Sequence, residues 1–215
     1  DGQRGWSASL TQVAADPADA ANQVAVFEAA TDGGANRALL VPQGATATLF
    51  YRFRSEVEDP NLRDWWAGLS DVQVSGIGAF GDFEAQIGLT GAIEPLRVRD
   101  GVIANNVDAD EHLPLTWYKI WAVVNNAIDR YEVYVQGGSR TQQTQIDIDS
   151  NGQTAFVFRN SGAATAANDL IRFLVKAGSG ARPGPVLLDD IYLATGKNLT
   201  DPTSSTGTPL RIAEI

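Results

Sequence analysis

The sequence predicts an all-β chain folded as a two-sheet antiparallel sandwich, and three observations carry that expectation. Short segments rich in β-branched and aromatic residues, about a dozen of them, recur at roughly 8–15-residue spacing with turn residues between. Within them apolar and polar residues alternate with a period of two. In Trp117–Val124, Tyr118, Ile120, Ala122 and Val124 share one side of a pleat, and Trp117, Lys119, Trp121 and Val123 the other. No segment holds a 3.6-residue period. Ala14–Ala21 is the one helix-like piece, and Pro17 inside it argues for a turn.

In chain order, Asp1–Leu10 reads as a first strand anchored by Trp6. Asp16-Pro17-Ala18-Asp19 is a turn before a strand at Gln23–Glu28. Asp32-Gly33-Gly34 leads to Ala38–Val41, and Pro42–Gly44 turns the chain into Ala47–Ser55, a strand of aromatic and β-branched residues. Asp59-Pro60-Asn61 opens a loop, and Trp65–Asp71 resumes extended structure. Asp82–Leu89 sets Phe83, Ala85, Ile87 and Leu89 against Glu84, Gln86 and Gly88. Leu96–Arg99 does the same with Leu96 and Val98 against Arg97 and Arg99, before an Asp100-Gly101 turn. Asn125-Asn126 turns the central strand into Tyr131–Gln136, because Asn tolerates positive φ and bonds its own backbone. Thr144–Asp149 and Thr154–Arg159 flank Asn151-Gly152 and read as a hairpin. After a small-residue loop at Ser161–Ala167, Asp169–Ala177 and Val186–Leu193 are the last strands. One domain is expected over residues 1–197, with 198–215 a linker and the start of a following module.

The chain has 215 residues, 44% hydrophobic and 20% charged, enough for one sizeable β-domain. A net charge of −10 disfavours nucleic acid or an anionic membrane surface as the main partner. No run reaches the roughly 18 apolar residues of a membrane helix. With no cysteine there can be no disulfide, thiolate metal site or Cys nucleophile. The lack of any methionine, even at position 1, reads as a chain whose start was set by processing or by excision from something longer.

The pair of strands opened by Trp117 and continued by Tyr131 and Tyr134-Val135 resembles a segment of laminin-G-like, concanavalin A-like jelly-roll domains. Asp1-Gly2 with Trp6, Asp16-Pro17 and Asn22-Gln23-Val24 is similar to the opening of many bacterial carbohydrate-binding jelly rolls, and Leu187–Leu193 to their closing strand. The resemblance implies a two-sheet antiparallel jelly roll that is secreted or cell-surface, bacterial and non-catalytic, and that docks on a polysaccharide. Pro209–Ile215 resembles the start of a fibronectin-like module, which implies neighbouring domains on the same polypeptide. Related jelly rolls often hold a structural calcium between the N-terminal segment and the closing strand. The matching oxygens are those of the Asp1 region and of Asp189 or Asp190. Strand alternation supplies a physical motive, since one of those two carboxylates would point inward beside Leu188 and Ile191 and need a counter-charge.

The polar alternates offer a ligand face: Arg52, Arg54, Glu84, Gln86, Arg97, Arg99, Lys119, Trp121, Glu132 and Tyr134, with Gln136 beside them. Arginine clamps a carboxylate bidentately, and Trp or Tyr stacks on the C–H face of a sugar, so five basic residues here favour an acidic polysaccharide. The bland alternative is a solvated face whose Arg–Glu pairs hold register. Trp65 and Trp66, as strand neighbours, point to opposite sides, so at most one joins a platform. Asp147–Gly152 fits half of an EF-hand loop, but position 12 is Phe158 and the hairpin explains it better. No motif calls for an organic cofactor.

For catalysis, the only histidine, His112, sits in an acidic loop and is expected to be solvated. The paired carboxylates of the jelly-roll glucanases are missing. A polysaccharide lyase working by β-elimination would use Tyr134 as base, with Arg97 and Lys119 neutralising a uronate. Yet Gln86-Ile87 is followed by Gly88 where the alginate-lyase jelly rolls have His. A structural or adhesive spacer is the remaining alternative.

Overall fold

A computed structural model describes residues 6–9, 11–27, 33–56, 63–74, 76, 78–91, 95–101, 106–147, 152–160, 168–177 and 185–204. The first strands are β1 (Trp6–Ser9), β2 (Thr11–Asp16), β3 (Asp19–Phe27), β4 (Gly34–Val41), β5 (Thr46–Ser55) and β6 (Arg63–Ser70). They are followed by β7 (Ala85–Gly91), β8 (Pro95–Arg99), β9 (Asn106–Glu111), β10 (Tyr118–Asn125) and β11 (Arg130–Gly137). The last are β12 (Arg140–Gln145), β13 (Phe156–Val157), β14 (Leu170–Ala177) and β15 (Val186–Thr195). Among the described residues the one helical piece is a 3-10 turn at Phe80–Asp82.

All pairings are antiparallel, in two sheets. Sheet I runs β1-β4-β14-β6-β7-β8-β9, and sheet II runs β12-β11-β10-β5-β15-β3-β2 with β13 added to β11. The period-two alternation decides what lies between them. Leu49, Tyr51 and Phe53 of β5, Ile120 and Val124 of β10 and Val133 of β11 line the inner side of sheet II. Trp65, Leu69, Ile87, Val98 and Phe173 line that of sheet I. Phe53 stacks on Trp65 at 5.3 Å, and Tyr51 meets Phe173 at 6.0 Å, so the aromatics join the two layers. Tyr131 crosses the gap and shares its hydroxyl proton between the carbonyl oxygens of Gln86 and Arg99.

The Asn-Asn turn forms through its side chains as expected, while the positive φ of the connection falls at Asp129. Asn125 accepts from the Ala127 N–H, while the Asn126 amide donates to the Val41 and Asn168 carbonyls, tying two loops together. Four expectations change. Among the described residues of the expected Thr144–Asp149 and Thr154–Arg159 hairpin, β12 and β13 each pair with a different part of β11 instead of with each other. The first half of the acidic loop read at Asp108–Pro114 belongs instead to β9, a strand paired with β8. His112 is buried, not solvated, with Phe53 and Tyr118 against its ring at 5.9 and 5.2 Å. The residues from Asn198 to Ser204, expected to be linker, lie against sheet II.

Candidate functional site

The alternation that builds the core also sorts the ten candidate ligand residues, and it divides them. Arg52, Arg54, Lys119, Trp121, Glu132 and Tyr134 alternate with core residues of β5, β10 and β11, so they face outward from sheet II. Gln86, Arg97 and Arg99 alternate with Ala85, Ile87, Leu96 and Val98, so they face outward from sheet I, and Glu84 stands just before them. The core lies between the two sets. They do not converge on one groove, and the lyase trio is divided the same way, with Tyr134 and Lys119 on one side of the molecule and Arg97 on the other.

On sheet II the outward face carries an aromatic patch of Phe50, Trp121, Tyr134 and Tyr192, with Val123 and Leu199 packed on it. Residues 196–204 run across it as a strap. The Trp121 indole N–H donates to the Thr200 carbonyl (3.1 Å), and Trp121 meets the Phe50 ring edge-on at 5.0 Å. Lys119 pairs with Asp201 (2.5 Å) and Lys197 with Glu132 (2.6 Å). Thr48 donates to the Gly196 carbonyl and accepts from the Asn198 N–H, and Gln143 donates to the Leu199 carbonyl. Burial alone would raise the Glu132 carboxyl, but hydrogen bonds from Lys197 and Tyr134 bring it below its usual range. The strap thus satisfies the charged and aromatic side chains from which a saccharide face would be built, and Trp121 is 1% exposed.

Beside the strap, Arg52 binds two carboxylates, Asp189 at 2.6 Å and Asp190 at 2.5 Å, with its guanidinium 4.8 Å above the Trp117 ring. The alternation argument fails here because β15 carries a bulge between Asp189 and Tyr192, where Asp190 takes φ 50°. The bulge turns Asp190 to the same outer side as Asp189 while Ile191 returns to the core. Burial, then the neighbouring Asp189, raise the Asp190 carboxyl despite Arg52. This guanidinium gives both carboxylates a counter-charge. Asp1, the other expected ligand, lies outside the described residues, and the described residues hold no metal-ready group of three or more His, Cys, Asp or Glu. Arg54 pairs with Glu56.

The outward face of sheet I is half covered. Val74, Phe80 and Phe83, in the segment between β6 and β7, pack on Trp66 and Leu174, and Lys176 sits 5.3 Å over the Phe80 ring. Trp65 points into the core and Trp66 outward, as neighbours on a strand must, but both are buried and neither is a platform. Gly88 is what lets the Trp66 indole lie flat, since a Cβ there would come within 2.7 Å of Trp66 Cδ2.

Next to this covered part lies a polar strip. Gln86 and Arg99 are buried at its floor, and Arg97 is half-buried. The segment after β13 adds two residues that sequence reasoning did not place here, Arg159 and Asn160. The Arg159 backbone N–H donates to the Glu84 carbonyl at 3.0 Å, which carries both side chains onto the strip. Asn160 donates to both Glu84 carboxyl oxygens, from its backbone N–H (3.0 Å) and side-chain amide (2.8 Å). Arg159 Nη1 donates to Gln86 Oε1 (3.0 Å), and Arg99 Nε to the Gly101 carbonyl (2.9 Å). Burial pushes Glu84 up to about 7 against the Asn160 hydrogen bonds, with Asp71 and Asp129 adding repulsion. Burial and the charge of Arg99 lower Arg159, and Glu84 partly offsets them. No local pattern could have brought Arg159 here, because its return to Glu84 is a contact across 75 residues of chain.

With this geometry, the structural neighbours can be compared. Lectin II from Ulex europaeus superposes with a TM-score of 0.57 at 7% identity, covering 91% of this chain and 94% of its own. The exoplasmic/lumenal domain of VIP36, in a Ca2+/Man3GlcNAc-bound form, gives 0.55 at 8% identity over 95% of this chain and 90% of its own. The fold is the concanavalin A-like jelly roll. A sialidase gives 0.56 at 10% identity, with 88% of this jelly roll covering 17% of that chain. No family model matches the jelly roll's sequence, and no curated protein sequence matches it.

Proposed function

We propose that this jelly roll is a non-catalytic carbohydrate-binding domain that docks on a polysaccharide through the polar strip of sheet I. The observation that carries the reading is the contrast between the two outward faces. The strap covers the aromatic candidates on sheet II, where the Trp121 indole is buried and donates to the Thr200 carbonyl. On sheet I, Gln86, Arg97 and Arg99 are gathered with Arg159 on one strip, with amide and guanidinium donors of the kind that read sugar hydroxyls and carboxylates. The lectin neighbours support a saccharide ligand for this fold, and the named forms of VIP36 are mannose-bound. The domain would belong to a secreted or cell-surface bacterial polypeptide with neighbouring domains, as the resemblance of its opening, closing and C-terminal segments implies.

Affinity electrophoresis in gels cast with alginate, pectin, xylan, glucan or mannan tests the reading. At least one polysaccharide should retard the domain, Arg97→Ala should restore free mobility, and Lys197→Ala on the opposite sheet should not. Absorbance at 235 nm should stay flat with the uronate polymers, because a binder makes no unsaturated product. Free mobility in every gel would leave a structural spacer. A rising absorbance would replace the binder with a lyase.

A further inference from the structure

We propose that Arg159 and Arg99, together with Gln86, form a subsite for the anionic substituent of an acidic sugar. This rests on the saccharide reading above and adds the class of ligand. The starting point is a difference among the cations. Arg52, Arg54, Lys119 and Lys197 each have a carboxylate partner in an ion pair. Arg159 has none among the described residues. Its Nη1 bonds a neutral amide oxygen, and the acid next to it, Glu84, is bonded by Asn160. In a chain with 26 acidic and 16 basic residues, a half-buried guanidinium with no counter-ion is costly unless something else supplies the charge.

The groups around it favour an anion. The register that pairs Ile87 with Val98 sets Arg99 on the strand beside Gln86, which Arg159 bonds, so two guanidinium groups share one part of the strip. A hydrogen bond received at Gln86 Oε1 fixes the amide so that its NH2 is a further donor. None of the remaining Arg159 donors is both buried and unpartnered, so they reach solvent where a ligand would arrive. The acid that acts on Arg159 is Glu84, on the segment entering β7, and Asp71 after β6 and Asp129 before β11 repel its charge in turn. Because Glu84 is held up near 7, it only partly offsets Arg159 at neutral pH. A carboxylate suits the fork of Arg159 because planar guanidinium and planar carboxylate pair through two parallel bonds. A sulfate ester offers the same charge in a tetrahedral shape.

Isothermal titration with oligogalacturonate, sulfated dextran and neutral dextran oligomers tests this, using the wild type, Arg159→Ala, Arg159→Lys and Lys197→Ala. Near-ultraviolet circular dichroism checks that each variant is folded. The acidic oligomer should bind at least about tenfold more tightly than the neutral one. Arg159→Ala should erase that margin, since a bond to a charged group is worth about a decade of affinity. Arg159→Lys should restore part of it, and Lys197→Ala should behave as wild type. Preference for galacturonate over sulfated dextran assigns a carboxylate, and the reverse a sulfate. If a neutral saccharide binds as tightly as the acidic ones, or Arg159→Ala keeps the margin, the anion subsite is wrong while saccharide binding stands. If no saccharide of either kind binds, both readings fall.

Discussion

Replacing Glu84 with Gln should remove a penalty that the folded protein carries only when this carboxyl is ionised. Burial holds the Glu84 carboxyl near 7 in the folded state, against its ordinary 4.5. The raised folded value fixes the sign. The stability that Glu84 contributes is fully present below about 4.5, declines as pH rises through the window from 4.5 to 7, and is gone above it. Each unit of that window corresponds to about 1.4 kcal/mol, so the upper bound is about 3.4 kcal/mol; relaxation and water access reduce it to about 2 kcal/mol. Urea unfolding of wild type and Glu84→Gln at several values between pH 4 and 8 measures it, and the difference between the two proteins cancels every other titrating group. The glutamine variant should gain about 2 kcal/mol relative to wild type across that window and show no further change above it. A difference that stays constant with pH would refute the burial argument. A difference of opposite slope would mean that Arg159 stabilises the Glu84 carboxylate as an ion pair, and the anion subsite would lose its motive.

Three further outcomes are expected. Leu199→Ala removes apolar contact from the strap and should cost about 1–2 kcal/mol, with the emission of Trp121 shifting to longer wavelength as water reaches the indole; unchanged emission and midpoint would mean the strap does not seal the patch. Gly88→Ala puts a Cβ within 2.1 Å of the Trp65 carbonyl and 2.7 Å of the Trp66 ring, and a loss of about 2 kcal/mol or more is expected in the same unfolding assay. Arg52→Met leaves Asp189 and Asp190 facing each other without their cation. It should destabilise by about 1–3 kcal/mol at neutral pH and by less in acid, as the already raised Asp190 takes up a proton; a cost that does not shrink in acid would show that packing on Trp117 dominates.

The inner face of the sandwich was legible residue by residue, because the period of two is a local property. Tyr118, Ile120, Ala122 and Val124 read as one side of a pleat and line the core. What the alternation could not say is which sheet a strand joins. Arg52 and Arg97 have the same in-and-out phase yet stand on opposite sides of the molecule, since β5 and β8 belong to different sheets. That assignment depends on strand pairing across long stretches of chain. The same is true of the strap: Asn198–Pro202 has a linker's composition, and contacts such as those of Leu199 and Thr200 with Trp121 and of Asp201 with Lys119 make it part of the fold. At Asp190 a bulge broke the period, and with it the inference of an inward carboxylate. The acidic neighbours of His112 suggest a solvated ring, whereas its place is set by Phe53 of β5 and Tyr118 at the start of β10.

The most direct test of the account is where a bound saccharide protects the backbone. Hydrogen exchange with and without the polysaccharide that retards the domain most should slow amides in β7, β8 and the 158–160 segment, and leave β10, β11 and residues 196–204 unchanged. Protection confined to the strap and sheet II, or no protection anywhere, would contradict the assignment of the saccharide surface to sheet I.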